Sequence, residues 1–222
     1  MLSAIVLAAG ESRRMGSPKA LLSLGTGTFI ETICSRLFEA RLDEIVVVLG
    51  AHADEVRRAA RLPGVRVVVN EEYGLGQLSS LQRGLGGIDS RSEGALVTLV
   101  DHPLVEAATY RALREEWEGS PEKIVVARFR EKGGHPVIFP RALFGELMDA
   151  SLEVGARAVL RKDARRVRWV GFDDFGIVAD IDSPEDYEKF VRMDISTTDV
   201  TTDEHAPKGP LRGMNTGDAD NE

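Results

Sequence analysis

The chain has a single cysteine, Cys34, in 222 residues, which excludes an intramolecular disulfide. Its setting in FIETICSRLFEA places it on the apolar face of a predicted helix, which gives it a structural role. No apolar stretch approaches the length of a bilayer span, so a membrane-crossing helix is not expected. Met1 to Gly10 lacks a basic start and a long apolar core, so a secretory signal is not expected either, and the predicted location is cytoplasmic. There is no basic surplus. The formal net charge is -8, and from Asp194 onward seven acids stand against two bases, which leaves about -3 for everything upstream. A duplex nucleic acid is therefore not expected as a partner, because phosphate neutralisation supplies most of such binding. A small anionic substrate remains compatible, provided a few basic side chains are focused in one cleft. The four histidines show no pair at a metal-ligand spacing, which argues against a histidine-held metal.

The chain does have 43% hydrophobic and 29% charged residues and the length for one α/β domain with a sizeable core. Short β-branched runs (SAIVLAAG, EIVVVLG, VRVVVN, GALVTLV, KIVVARF) alternate with segments of helical spacing (FIETICSRLFEA, ADEVRRAA, LSSLQRGLGGI, VEAATYRALREEW). That alternation predicts a Rossmann-like, three-layer α/β/α domain with a mostly parallel sheet. KIVVARF is expected to finish the central sheet. HPVIFP then reads as a short strand, LFGELMDA and GARAVLRK as helices, VRWVGF as a strand, and SPEDYEKFVRM as a helix with a Ser cap and Pro in its first turn. From Asp194 to Glu222 large apolar side chains nearly vanish. Residues 1–193 are thus expected to form the domain and 194–222 an acidic, disordered tail.

The first strand delivers the chain into LAAGESRRMGSPKALL, with Gly10, Gly16, Arg13, Arg14 and Lys19 at the edge where parallel sheets bind ligands. Glycines let backbone N–H groups approach phosphate, and Arg and Lys neutralise charge on a transferred phosphoryl group. A basic surface turn is the plainer alternative. Neither G-x-x-x-x-G-K-[ST] nor G-x-G-x-x-G is present. Asp101 follows the apolar run ALVTLV, so its carboxylate emerges at the same edge and suits Mg²⁺, which takes one or two carboxylates plus substrate phosphates. Asp180 and Asp182 are candidates for the second acid, as alternate residues of a predicted strand. The same stretch also reads as a helix entry, with Ser183 as cap and Glu185 and Asp186 favourable in the first turn. Ser79 and Ser80, near a helix start, can cap N–H groups or face the crevice. His52 and His102 follow strand ends, and His135 follows two glycines.

LAAGESRRMGSPK resembles the L-A-A-G-x-S-x-R-M-G-x-x-K signature of molybdenum cofactor cytidylyltransferases and their relatives, nucleotidyltransferases of the nucleotide-diphospho-sugar transferase fold type. The likeness continues in GQLSSLQRGL, DHPLV, GGHPVIFP and DIDSPEDY, and covers roughly residues 3–192. It implies that Leu7, Ala8, Ala9 and Gly10 line the nucleotide, that Arg14 and Lys19 hold the triphosphate, and that Gly76, Ser79 and Ser80 surround base and ribose. It implies Asp101 and Asp182 as Mg²⁺ ligands, with Asp180 as rival, and His135 and Arg157 at the acceptor. His102 stands at a variable position where glutamine is frequent, which suggests a hydrogen-bonding role. Glu153 and Val154 depart from the polar pair that relatives carry before Gly155 and Arg157, which bears on the identity of the acceptor. By the resemblance, CMP passes from CTP to molybdopterin with release of pyrophosphate, and a molybdenum hydroxylase is a possible recipient. Relatives that use GTP show Gly where this chain has Ala9. The alternatives are a guanylyl- or sugar-phosphate nucleotidyltransferase and a non-catalytic protein that holds or delivers the cofactor.

Overall fold

The computed structural model describes residues 1–190, so the expected domain end at 193 and the acidic tail lie outside the described residues. Strand β1 (Leu2–Ala8) runs in the interior of a seven-stranded sheet whose order is β5-β4-β1-β6-β8-β7-β9. β4 (Glu44–Leu49), β5 (Arg66–Val69) and β6 (Gly94–Leu99) complete the parallel half with β1, joined through helices α1 (Phe29–Glu39), α2 (Ala53–Ala59) and α3 (Gln77–Leu85). After β6 come α4 (Ala107–Glu118), β7 (Ile124–Phe129), β8 (Lys132–Pro140), α5 (Phe144–Met148), α6 (Arg157–Lys162) and β9 (Val167–Phe172). Ser23–Leu24 and Gly27–Thr28 form a separate two-stranded ribbon, β2 and β3, before α1.

The central strands are apolar on both faces because both faces are covered. Ala4 and Val6 of β1 pack with Ile30, Ile33 and Leu37 of α1 and with Tyr110, Leu113 and Trp117 of α4. Ile5 and Leu7 point the other way, into a cluster with Leu78, Leu81 and Leu85 of α3, Leu147 of α5 and Val159 of α6. These are the three expected layers. Cys34 is buried in the first cluster and its thiol is pushed up to about 12 by burial, so it is unreactive packing, as the sequence suggests. No described helix is long and apolar enough to cross a membrane.

Beyond β6 the sheet departs from the expected order. β7 does not pair with β6: β8 lies between them, antiparallel to both, and β9 pairs with β7 in parallel to form the far edge. β8 is also longer than HPVIFP, starting at Lys132. A tight β7–β8 connection makes the two strands an antiparallel hairpin, and the apolar run Val137 to Phe139 of β8 pairs with buried β6. The two glycines before His135 allow a close approach within the protein itself. A side chain on Gly134 would strike the carbonyl of Ile177, and one on Gly133 would strike the Trp169 ring. Gly134→Ala is therefore expected to cost about 1–3 kcal/mol, with a thermal midpoint lower by about 2–10 °C. An unchanged midpoint in a thermal melt would show that the Ile177 turn is free to move off β8.

Candidate active site

The chain leaves β1 toward β4 and β5, then returns across β1 to β6, so the direction of winding reverses at β1. In open α/β sheets the crevice at such a reversal, beyond the carboxyl ends of the strands, is where ligands bind. Here the crevice is a cleft of about 500 Å³. Three strand ends build its floor. The end of β1 supplies Leu7, Ala8, Ala9 and Gly10, β4 leads to His52, and β6 leads to Leu99, Val100 and Asp101. Hydrogen bonds extend the sheet past the strands and set their spacing: Ala51 N–H donates to Ala9 O at 3.1 Å and Val100 N–H to Leu7 O at 3.0 Å. Gly50 has to be glycine, since a Cβ there would lie 2.5 Å from Ala9 O and 2.7 Å from the Cβ of Tyr73.

The loop after β1 carries Ser12, Arg13 and Arg14 along one wall of the cleft and ends in a 3-10 turn at Lys19–Leu21. Opposite it stands Asp182. The Lys19 ammonium hydrogen-bonds to one Asp182 oxygen and lies 3.5 Å from Asp101 Oδ2, while Arg14 donates to the other Asp182 oxygen at 2.6 Å. Residues 163 positions apart thereby share one cluster of charge. The Lys19 hydrogen bond, with Arg14 beside it, holds the Asp182 carboxyl below its usual range.

Asp182 owes its position to two local devices. Ile181 N–H donates to Asp101 O at 2.8 Å, which lays this segment against the end of β6. Ser183 then caps the helical stretch 184–190: its hydroxyl accepts from Asp186 N at 3.2 Å, and Asp186 Oδ2 accepts from Ser183 N at 3.0 Å. The helix-entry reading of DIDSPEDY and the placement of an acid at the site are thus both realised. The expected strand is absent: residues 179–182 adopt no regular secondary structure and pair in no ladder. Asp180 is exposed and lies outside the cleft lining, whereas Asp182 is part of it.

The carboxylates suit a divalent cation on an observation independent of any family. Asp101 Oδ1 is buried with no hydrogen-bond partner, an unusual state for an ionisable oxygen and one that a cation would relieve. No group of three or more His, Cys, Asp or Glu among the described residues could hold a metal alone, so substrate oxygens would have to complete the shell.

Other expected residues divide. Gly76 and Ser80 line the cleft. Ser79 does not; its buried hydroxyl accepts from Asn70 Nδ2 at 2.9 Å and faces Gly76 O at 2.8 Å, tying the turn before α3 together. Neither serine caps α3, whose N-cap is Gly76. His102 is buried with Nδ1 3.2 Å from Gly176 O, which fits the expected hydrogen-bonding role. His135 and Arg157 are outside the cleft lining, and Arg157 is exposed at the start of α6. His135 Nδ1 lies 3.4 Å from Val97 O, and its ring centroid is 5.6 Å from that of His102.

Burial, with His102 adding to it, lowers the His135 pKa to about 4. The folded protein then holds this imidazole neutral where the unfolded chain, with an ordinary value near 6.5, protonates it. Between those values the unfolded state binds more protons, so stability falls as pH drops from about 6.5 to about 4 and is insensitive to this group above that window. Urea melts across pH 7 to 4 are expected to show that loss, and His135→Asn to flatten it. An equal slope in the variant would assign the loss to other groups.

Pro18, Ala20 and Gln77, which lie inside the quoted motifs, also line the cleft, and so do two residues with no motif signal, Tyr73 and Val56 of α2. The signal that could have found Tyr73 is its place after β5, at the same sheet edge as Asp101.

A reversal-point crevice with a basic loop on one wall and paired acids on the other defines an α/β protein of the nucleotidyltransferase type. A family model for the MobA-like NTP transferase domain matches residues 4–167, and the chain belongs to that family. The nicotine blue oxidoreductase of Paenarthrobacter nicotinovorans is 30% identical over 193 residues, covering 83% of this chain and 93% of its own. Molybdenum cofactor cytidylyltransferase of Escherichia coli K12 is 23% identical over 188 residues, covering 84% and 93%. Among solved structures, Rv0371c of Mycobacterium tuberculosis H37Rv matches with a TM-score of 0.76 at 32% identity, covering 86% of this chain and 97% of its own, and has also been solved in complex with manganese.

Proposed function

We propose that this chain transfers CMP from CTP to a phosphate-bearing, molybdopterin-like acceptor and releases pyrophosphate. The observation that carries the reading is the convergence of Lys19, Arg14, Asp101 and Asp182 on one cleft, with Asp101 Oδ1 left without a hydrogen bond and only His102 Nε2 at 4.0 Å beside it. An acceptor phosphate oxygen forms a bond to the α-phosphorus in line, the bond from that phosphorus to the β-bridging oxygen breaks, and pyrophosphate carries away the electron pair. No covalent bond to the protein is needed. Lys19 and Arg14 bind the triphosphate and neutralise the charge that builds on the leaving oxygens. Leu7 to Gly10, Gly76 and Ser80 wall the nucleoside. Bound Mg²⁺, held by Asp101, Asp182 and nucleotide phosphate oxygens, would supply further charge neutralisation at the reacting phosphate. Ala9 lines the cleft where relatives that use GTP carry Gly, and that likeness supports CTP as the donor.

A pyrophosphate-release assay with CTP, GTP, ATP and UTP, each with Mg²⁺ and molybdopterin, tests this. Release with CTP alone is expected. Release with GTP or with a sugar phosphate as acceptor would replace the specific assignment but keep the class. CTP binding without release would leave a holding or delivery protein. The relative named nicotine blue oxidoreductase gives one further arm, reduction of nicotine blue by a supplied hydride donor, which is oxidised in the same step. Turnover there and not with nucleoside triphosphates would overturn the transfer reading.

A further inference from the structure

We infer that Ser12 is a positioning residue whose hydroxyl holds the loop 12–18 in the shape that aims Lys19 at a polyphosphate. The inference rests on the reading of this cleft as a triphosphate site. Ser12 has φ 53, the left-handed region that a residue with a Cβ enters only when something holds it there. Two bonds hold it. Its carbonyl accepts from Met15 N at 2.9 Å, and its hydroxyl accepts from Lys19 N at 3.0 Å. The second bond does work that the local chain does not do, because Pro18, at the cap position of the 3-10 turn beginning at Lys19, makes no side-chain cap bond. Ser12 caps that turn from seven residues upstream.

Packing cannot take over this task. From Glu11 to Ser17 no side chain is buried, and Pro18 is the first residue of the loop that is. The loop's other ties to the body of the protein include the ion pairs of Arg14 with Asp182 and of Lys19 with Asp182 and Asp101, and the contact of His52 Nε2 with Glu11 O at 3.0 Å. A triphosphate competes for the same two cations, so those ion pairs weaken when it binds. The Ser12–Lys19 bond joins backbone to side chain without using either cation, and it persists through that exchange. It then keeps the Lys19 stem from swinging while the ammonium changes partner.

The test uses sodium tripolyphosphate with Mg²⁺, measured by calorimetry on the full chain, for wild type, Ser12→Gly, Ser12→Ala, Lys19→Ala and Ser12→Gly/Lys19→Ala. Amide exchange at Lys19 is followed in parallel. Glycine is the residue best suited to φ 53, so a purely conformational role predicts that Ser12→Gly binds as wild type, and that result overturns the proposal. The expected result is binding about tenfold weaker in Ser12→Gly and Ser12→Ala, with faster Lys19 amide exchange in both. In the Lys19→Ala background the Ser12→Gly effect is expected to vanish, because Ser12 acts through that side chain. A full effect in both backgrounds overturns the proposal as well. Tripolyphosphate has neither base nor acceptor, so the outcomes separate. Binding to the wild type without turnover of any nucleotide sinks the transfer reading and leaves Ser12 standing. No binding to the wild type sinks Ser12's role and leaves transfer to be judged on nucleotide turnover.

Discussion

Lys19→Ala is expected to lower nucleotide turnover by about 10²–10³-fold, the usual cost of removing one fixed donor aimed at developing charge. Its effect on folding should be far smaller. The Lys19 side chain is 13% exposed and Asp182 30% exposed, and Arg14 still pairs with Asp182 when Lys19 is gone. Partly exposed pairs contribute about 0–1 kcal/mol, which at this chain length moves a thermal midpoint by no more than about 4 °C. The pH dependence has a definite sign. Because the Asp182 pKa is lowered in the folded state, its contribution is present above the ordinary carboxylate value near 4 and is lost as pH falls below it. The stability gap between wild type and variant should therefore close in acid. Turnover measured beside thermal melts decides the matter. Wild-type turnover, or a loss of turnover matched by loss of the folded state, would remove Lys19 from the chemistry.

Asp101→Asn separates function from folding in the other direction. The buried Oδ1, with no hydrogen bond, is a cost to the folded protein, and a neutral amide is cheaper to bury than a carboxylate. The variant is expected to melt at the wild-type midpoint or above it, the trade between stability and activity that functional sites show. Its Mn²⁺ affinity, read by electron paramagnetic resonance in the presence of CTP, should fall by at least the 10–100-fold typical of losing even an outer partner of a metal site. Turnover should fall at least as far, since the cation and the triphosphate bind together. Unchanged Mn²⁺ binding would mean that Asp101 is not a ligand. A large drop in midpoint would mean that its pairing with Lys19 at 3.5 Å matters more to the fold than the orphaned oxygen costs it.

The parts of the site that were legible before the structure are those where one strand end fixes position. Ala8 to Gly10 and Asp101 follow apolar runs at the carboxyl edge of the sheet, and periodicity alone puts them at the crevice. The choice between Asp180 and Asp182 was not legible from spacing, because it depends on the Ser183–Asp186 cap and on a backbone bond to Asp101. Nor was the placement of half-buried His135 outside the cleft lining, where its glycine neighbours serve as clearance for Ile177 and Trp169.

By itself the sequence determined the α/β class, the central parallel strands, the burial of Cys34 and the basic loop after β1. Each follows from local periodicity or from residue chemistry at a strand end, which involve only near neighbours in the chain. Tertiary structure alone decided that β8 enters between β6 and β7, that Tyr73 and Val56 face the cleft, and that Asp182 meets Lys19. Those outcomes depend on which distant surfaces bury each other best and which charges end up within reach. No window of the sequence holds both partners.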